Sequence, residues 1–143
     1  MANNKIVSEF VLASGADAIP RMSRMLNVDK SITNINIKDS TWYDKTALHY
    51  QAHNGTTGSV AWLLMQDPPP GINVLDSSQW TPLMNAVYYG KDSEGKVRLL
   101  LDHGADRDLK NFDGETTLDY ARRINRPPAV IDMLKNYRPD VSR

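Results

Sequence analysis

TALHYQAHNG, residues 46–55, returns as TPLMNAVYYG at 81–90 and as TTLDYARRIN at 116–125. The step is 35 residues both times. A fixed period of this size marks a repeat array, in which each unit buries its apolar face only against its neighbours. Each copy opens on threonine, a favoured helix N-cap. Pro82 takes the first helical position, where its missing N–H is no loss. Nine residues after each threonine stand Gly55, Gly90 and Asn125, the residue types that tolerate left-handed backbone just past a helix end. A helix is therefore expected between each threonine and each Gly or Asn.

A second apolar block follows each break: Val60, Leu63 and Leu64, then Val97, Leu100 and Leu101, then Val130, Met133 and Leu134. The spacing is helical again. Turn-rich segments, DPPPGINVLDSSQW and DHGADRDLKNFDGE, lead to the next threonine.

Helix, turn, helix and extended loop at this period resemble the ankyrin repeat. The residues that carry the resemblance are Thr81-Pro82-Leu83, Thr46-Ala47-Leu48-His49, the glycines nine residues on, the string Leu100 to Asp106, and Asp113-Gly114-Glu115-Thr116. The resemblance covers residues 36–136 well. It implies an all-α solenoid of stacked helix-turn-helix units with extended loop or β-hairpin tips.

Four repeats are expected in a single domain, 1–143: an atypical N-terminal repeat at about 5–38, repeats at 39–73 and 74–108, a C-terminal repeat at 109–137, and a polar tail at 138–143. Phe10 to Gly15 would be the first helix and its closing Gly, and Ile19, Met22, Met25 and Leu26 the core face of a second. Degenerate end repeats are expected because each end must present one face to water. Beginning at Met1 and ending in that tail, the chain is expected to be complete. The period exceeds the family's usual value of about 33, and the extra residues are assigned to turns at Pro68–Gly71 and Asp92–Gly95. Gln51 and Arg122 stand where the family prefers small residues.

Composition bounds the function. The 143 residues carry 17 basic and 17 acidic side chains, for a formal net charge of zero, so no electrostatic footprint for nucleic acid or an anionic membrane is present. There is no cysteine, hence no disulfide framework and no thiolate chemistry. The N-terminus lacks a signal-peptide pattern, and no run approaches the ~20 apolar residues of a membrane span. A cytoplasmic protein is expected, or a nuclear one in a eukaryote, monomeric and without a cofactor.

His49 and His53 lie four apart, the spacing of paired zinc ligands in metalloprotease helices. Such a helix needs Glu after the first histidine; here Tyr50 follows. His49 instead matches the structural histidine of the family's Thr-Pro-Leu-His motif, which bonds near the threonine cap and ties adjacent repeats. A metal-dependent hydrolase using His49 and His53 remains the alternative. Gly90 to Lys96 looks like a phosphate loop but lacks Ser or Thr after its lysine, and no strand precedes it.

The resemblance implies a protein-binding concave face built from loop tips and first helices. Carried over position by position, it comprises Trp42, Tyr43 and Lys45 in the first loop, and Ser77, Ser78 and Trp80 in the second. Phe112, Asp113 and Glu115 follow in the third. His53 and Asn54, Tyr88 and Tyr89, and Arg123 come from the helix ends. Six of the chain's eleven aromatic rings fall in this set. Trp and Tyr are enriched at binding hot spots, and an unpartnered ring cluster costs solubility. Alternatively, Trp80 and Tyr50 are half-buried between repeats. Trp62, Tyr120 and Phe10 read as packing residues. A non-catalytic module that binds a protein or peptide is expected, acting as an inhibitor, adaptor or effector- or antitoxin-like protein. A structural component binding through its convex face is a further alternative.

Overall fold

The computed structural model describes residues 3–88 and 92–138. Eight helices follow in pairs: α1 (Asn4–Val11) and α2 (Ala18–Ser23), α3 (Ala47–Asn54) and α4 (Thr57–Leu64), α5 (Pro82–Val87) and α6 (Ser93–Asp102), α7 (Thr117–Arg123) and α8 (Pro128–Asn136). First helices stack in the order α1, α3, α5, α7, and second helices α4, α6 and α8 stack behind them. The described residues form an all-α repeat solenoid whose strand content is one isolated antiparallel bridge, Asp39–Lys45.

The repeat signals act as expected at the helix starts. Thr46, Thr81 and Thr116 each accept a hydrogen bond from the backbone N–H three residues on, and Pro82 opens α5. The second apolar blocks are all buried, as are Phe10, Met22 and Met25; Ile19 and Leu26 are only partly buried. Among the described residues the main helix contacts lie within a repeat or between neighbouring repeats, so the core is a continuous seam rather than a central knot.

Three details differ from the sequence reading. The first helix is Asn4–Val11 and ends before Gly15, which opens a short turn of its own rather than closing the helix. Gly55 closes α3 with extended backbone, φ −84°, not left-handed. Its requirement is space, since a Cβ there would lie 2.3 Å from Gln51 Oε1 and 2.7 Å from the Gln51 carbonyl. Asn125 does adopt the left-handed conformation, at φ 58°; Gly90 lies outside the described residues. Ser93 to Gly95, assigned to a turn, instead form the first turn of α6. Gly95 is needed there because a Cβ would stand 2.7 Å from Thr57 Oγ1 in the neighbouring repeat.

Buried polar side chains tie the repeats together at the helix ends. Gln51 donates from Nε2 to the Ala13 carbonyl (2.6 Å). Lys96, with no exposed surface, donates to the Gly55 carbonyl (3.0 Å) at the end of α3. A cation beside the last carbonyls of a helix is favoured by the helix dipole. Burial nevertheless lowers the Lys96 pKa to about 8.

Candidate partner-binding groove

Three loop tips lead into α3, α5 and α7, and each is closed the same way. The backbone N–H groups of Asp39, Asp76 and Asn111 donate to the carbonyls of Lys45, Trp80 and Glu115. The same three side chains accept backbone N–H bonds from within the loop: Asp39 from Thr41, Asp76 from Ser78 and Trp80, Asn111 from Asp113 and Glu115. Short Asp and Asn side chains suit this role because they satisfy turn N–H groups locally. The first tip is two residues longer than the others. Its extra length displays Trp42 and Tyr43, the latter at φ 57°.

Between the tips and the first helices lies an open groove of about 620 Å³. Its floor is polar and already paired. Lys45 Nζ lies 2.6 Å from Asp76 Oδ2 and 3.0 Å from Asn85 Oδ1, and sits 5.9 Å from the centre of the Trp80 ring. Both ionic side chains of the floor are nearly buried, so the pair is weakly screened by solvent. The walls are aromatic. Trp42 is 45% exposed, Tyr43 62% and Phe112 68%. His53 lies against Tyr88 with ring centroids 4.9 Å apart. Burial, then the charges of Lys45 and Lys96, push the His53 pKa down.

His49 sits beneath the floor. Its Nδ1 faces the Thr46 backbone N–H (3.1 Å) and its Nε2 faces the Trp80 carbonyl (2.9 Å). An N–H can only donate and a carbonyl can only accept, so Nδ1 is bare and Nε2 carries the proton. Burial lowers the His49 pKa to about 4. Both ring nitrogens are bound to backbone, so coordination of a metal would break either the bond to the Thr46 cap or the bond that reaches the second loop at Trp80. The histidine pair of the hydrolase alternative thus serves two separate tasks.

A family model described as ankyrin repeats in three copies matches residues 2–111 and 48–143. The chain belongs to the ankyrin-repeat family. It is also 40% identical over 76 residues to protein phosphatase 1 regulatory subunit 12A of Mus musculus, and equally so to that of Rattus norvegicus. The aligned stretch is 53% of this chain and 7% of each relative. Ankyrin repeats generally mediate protein–protein interaction. No helix among the described residues is long and apolar enough to cross a membrane.

The groove of this ankyrin stack gathers most of the residues carried over from the family pattern: Trp42, Tyr43, Lys45, His53, Ser78, Trp80, Tyr88, Phe112 and Asp113. Trp80 is half-buried, with Tyr120 edge-on at 4.8 Å and Tyr88 at 6.3 Å. Four residues fall outside the lining. Ser77 binds the Tyr43 carbonyl through Oγ (3.0 Å). Asn54 donates to His53 Nδ1 (3.0 Å). Glu115 and Arg123 pair with each other at 2.6 and 3.1 Å. Tyr89 lies outside the described residues.

Asp76 and Asn85 line the groove and were not singled out from sequence. The signal for Asp76 was present: it stands five residues before Thr81, as Asn111 stands five before Thr116. Asn85 gives no such signal, because Tyr50 and Tyr120 occupy the equivalent places.

Proposed function

We propose that this ankyrin chain is a non-catalytic binding module that holds a protein partner in the groove of its concave face. The observation that carries the reading is the group of exposed rings, Trp42, Tyr43 and Phe112, around a floor whose own charges are paired. Exposed rings recover the most apolar area per frozen torsion when covered by a partner. The relatives are named regulatory subunits, which favours an inhibitor or adaptor role over catalysis in this chain. The module works as a monomer in the cytoplasm or nucleus, needs no cofactor, and lacks the basic channel that nucleic acid would require.

The test is comparative capture from lysate of the source cells. Wild type and a Trp42→Ala, Phe112→Ala double variant are immobilised side by side after matching helical spectra and melting. A protein retained by wild type and lost by the variant is the expected result. Equal retention of every captured protein would place the interface elsewhere, on the convex face.

A further inference from the structure

A second cleft, of about 680 Å³, opens between the turn after α1 and the end of α3. His53 lines both this cleft and the aromatic groove, so the two adjoin. One wall is Gly15, Ala16, Ala18 and Ile19 of the first repeat; the other comes from the end of α3 and the start of α4.

The polar groups of the second wall are engaged within the protein. Gln51 Nε2 donates to the Ala13 carbonyl, Thr56 and Ser59 cap α4 reciprocally, and the Gly55 carbonyl accepts from Lys96. The wall of the first repeat is apolar and made of small side chains. Ala16 is exposed, and Ile19, expected in the core, is only partly buried. Such a wall leaves room for a larger apolar side chain from outside, whose burial is favourable in proportion to the area covered. At the junction, Asn54 donates to His53 Nδ1 (3.0 Å), so the neutral imidazole carries its proton on Nε2. No acceptor meets that N–H among the described residues, and the backbone carbonyl of a crossing segment suits it. One segment can reach both hollows. First helices packed roughly 10 Å apart set α1 and α7 roughly 30 Å from each other, a span that about nine extended residues cover.

We infer that the protein partner presents an extended segment that leaves the aromatic groove across His53 and sets an aliphatic side chain into the cleft between the first two repeats. The inference rests on the concave-face reading and adds to it the reach of the interface and one anchor of the partner.

The experiment selects random twelve-residue peptides displayed on phage against the whole wild-type chain, then measures the enriched peptides as synthetic ligands. Each peptide, and its single alanine substitutions, is measured on wild type, on the Trp42→Ala, Phe112→Ala variant, and on Ala16→Glu and Ala16→Arg. The two Ala16 variants place opposite charges on the exposed wall, and all variants first match wild type in helical spectrum and melting. The expected result is a shared aliphatic residue whose change to alanine weakens binding about tenfold on wild type. On both Ala16 variants that difference shrinks to about twofold or less, because the two changes remove the same contact. Peptides that need Trp42 and Phe112 but bind the Ala16 variants as well as wild type would overturn the cleft and leave the concave groove standing. Peptides weakened by the Ala16 variants with no aliphatic residue coupled to them would overturn the anchor and with it the inference. Peptides indifferent to the aromatic substitutions, or none above background, would overturn both readings.

Discussion

His49 carries one proton and faces two backbone partners, and those partners decide where the proton sits. Protonating Nδ1 would set an N–H against the Thr46 N–H and bury a charge. The unfolded chain takes up this proton near pH 6.5, whereas the native state does so only near pH 4. Between those values the unfolded state binds more protons. The contribution is complete above about pH 6.5 and is lost as pH falls towards 4. The loss at the acid end should reach roughly 3 kcal/mol. Urea unfolding at pH 7.5 and 4.5 should show it in wild type and much less in His49→Gln, against a shared background from His53 and the carboxylates. Equal losses would remove His49 as the source. Gln51 makes a related point. A departure from the family's small residue in the sequence, it joins the first two repeats through the Ala13 carbonyl. Gln51→Ala restores the family's usual small residue yet should cost about 1–3 kcal/mol, because a buried carbonyl loses its donor. A chemical-denaturation midpoint that stays in place or rises would show that the carbonyl finds water.

The helix starts were legible because capping is local: a threonine, a proline at the first position and a bond three residues on need no knowledge of the rest of the chain. Helix ends were less so. Gly55, Gly90 and Asn125 occupy one repeat position, yet Asn125 answers a demand of φ and Gly55 a demand of space. Sequence shows only that small or permissive residues are wanted, and the neighbour that imposes the demand belongs to tertiary structure. Ser93 to Gly95 were misplaced for the same reason. Glycine reads as a breaker, but Gly95 marks where α6 approaches Thr57. The two cases give opposite expectations on substitution. Gly55→Ala meets a backbone oxygen that cannot turn aside, so it should destabilise by about 1–3 kcal/mol despite an ordinary φ. Asn125→Gly relieves a left-handed asparagine and should be neutral or slightly stabilising. Thermal melts of both variants check the pair; a harmless Gly55→Ala would mean that the end of α3 shifts freely.

At the scale of the molecule, the period gives the stack and the stack gives the face. Counting from the threonines located most of the groove lining, because tip residues keep their places once the helices are fixed. It left Asp76 unnoticed, since the first tip is two residues longer and hides the shared Asp or Asn. Counting also could not tell which aromatic residues support the face and which are presented by it. Trp80 and Trp42 both belong to the family's contact positions, but Trp80 is wedged between Tyr88 and Tyr120 across two repeats, while Trp42 is 45% exposed and has Tyr43 as its ring neighbour among the described residues. Truncating them should separate stability from binding. Trp80→Ala should cost about 3 kcal/mol, from lost packing and the space left behind. In a linear array that loss weakens the junction of repeats on either side, so the unfolding transition should broaden as well as move. Trp42→Ala should leave stability within about 0.5 kcal/mol. A partner held in the groove should nevertheless lose about 2 kcal/mol of affinity with Trp42→Ala, mainly through faster dissociation. Denaturation and dissociation rates measured on the same two proteins decide the matter. If Trp42→Ala unfolds as easily as Trp80→Ala, its ring supports the fold, and the concave face loses the residue that most distinguishes it as a site.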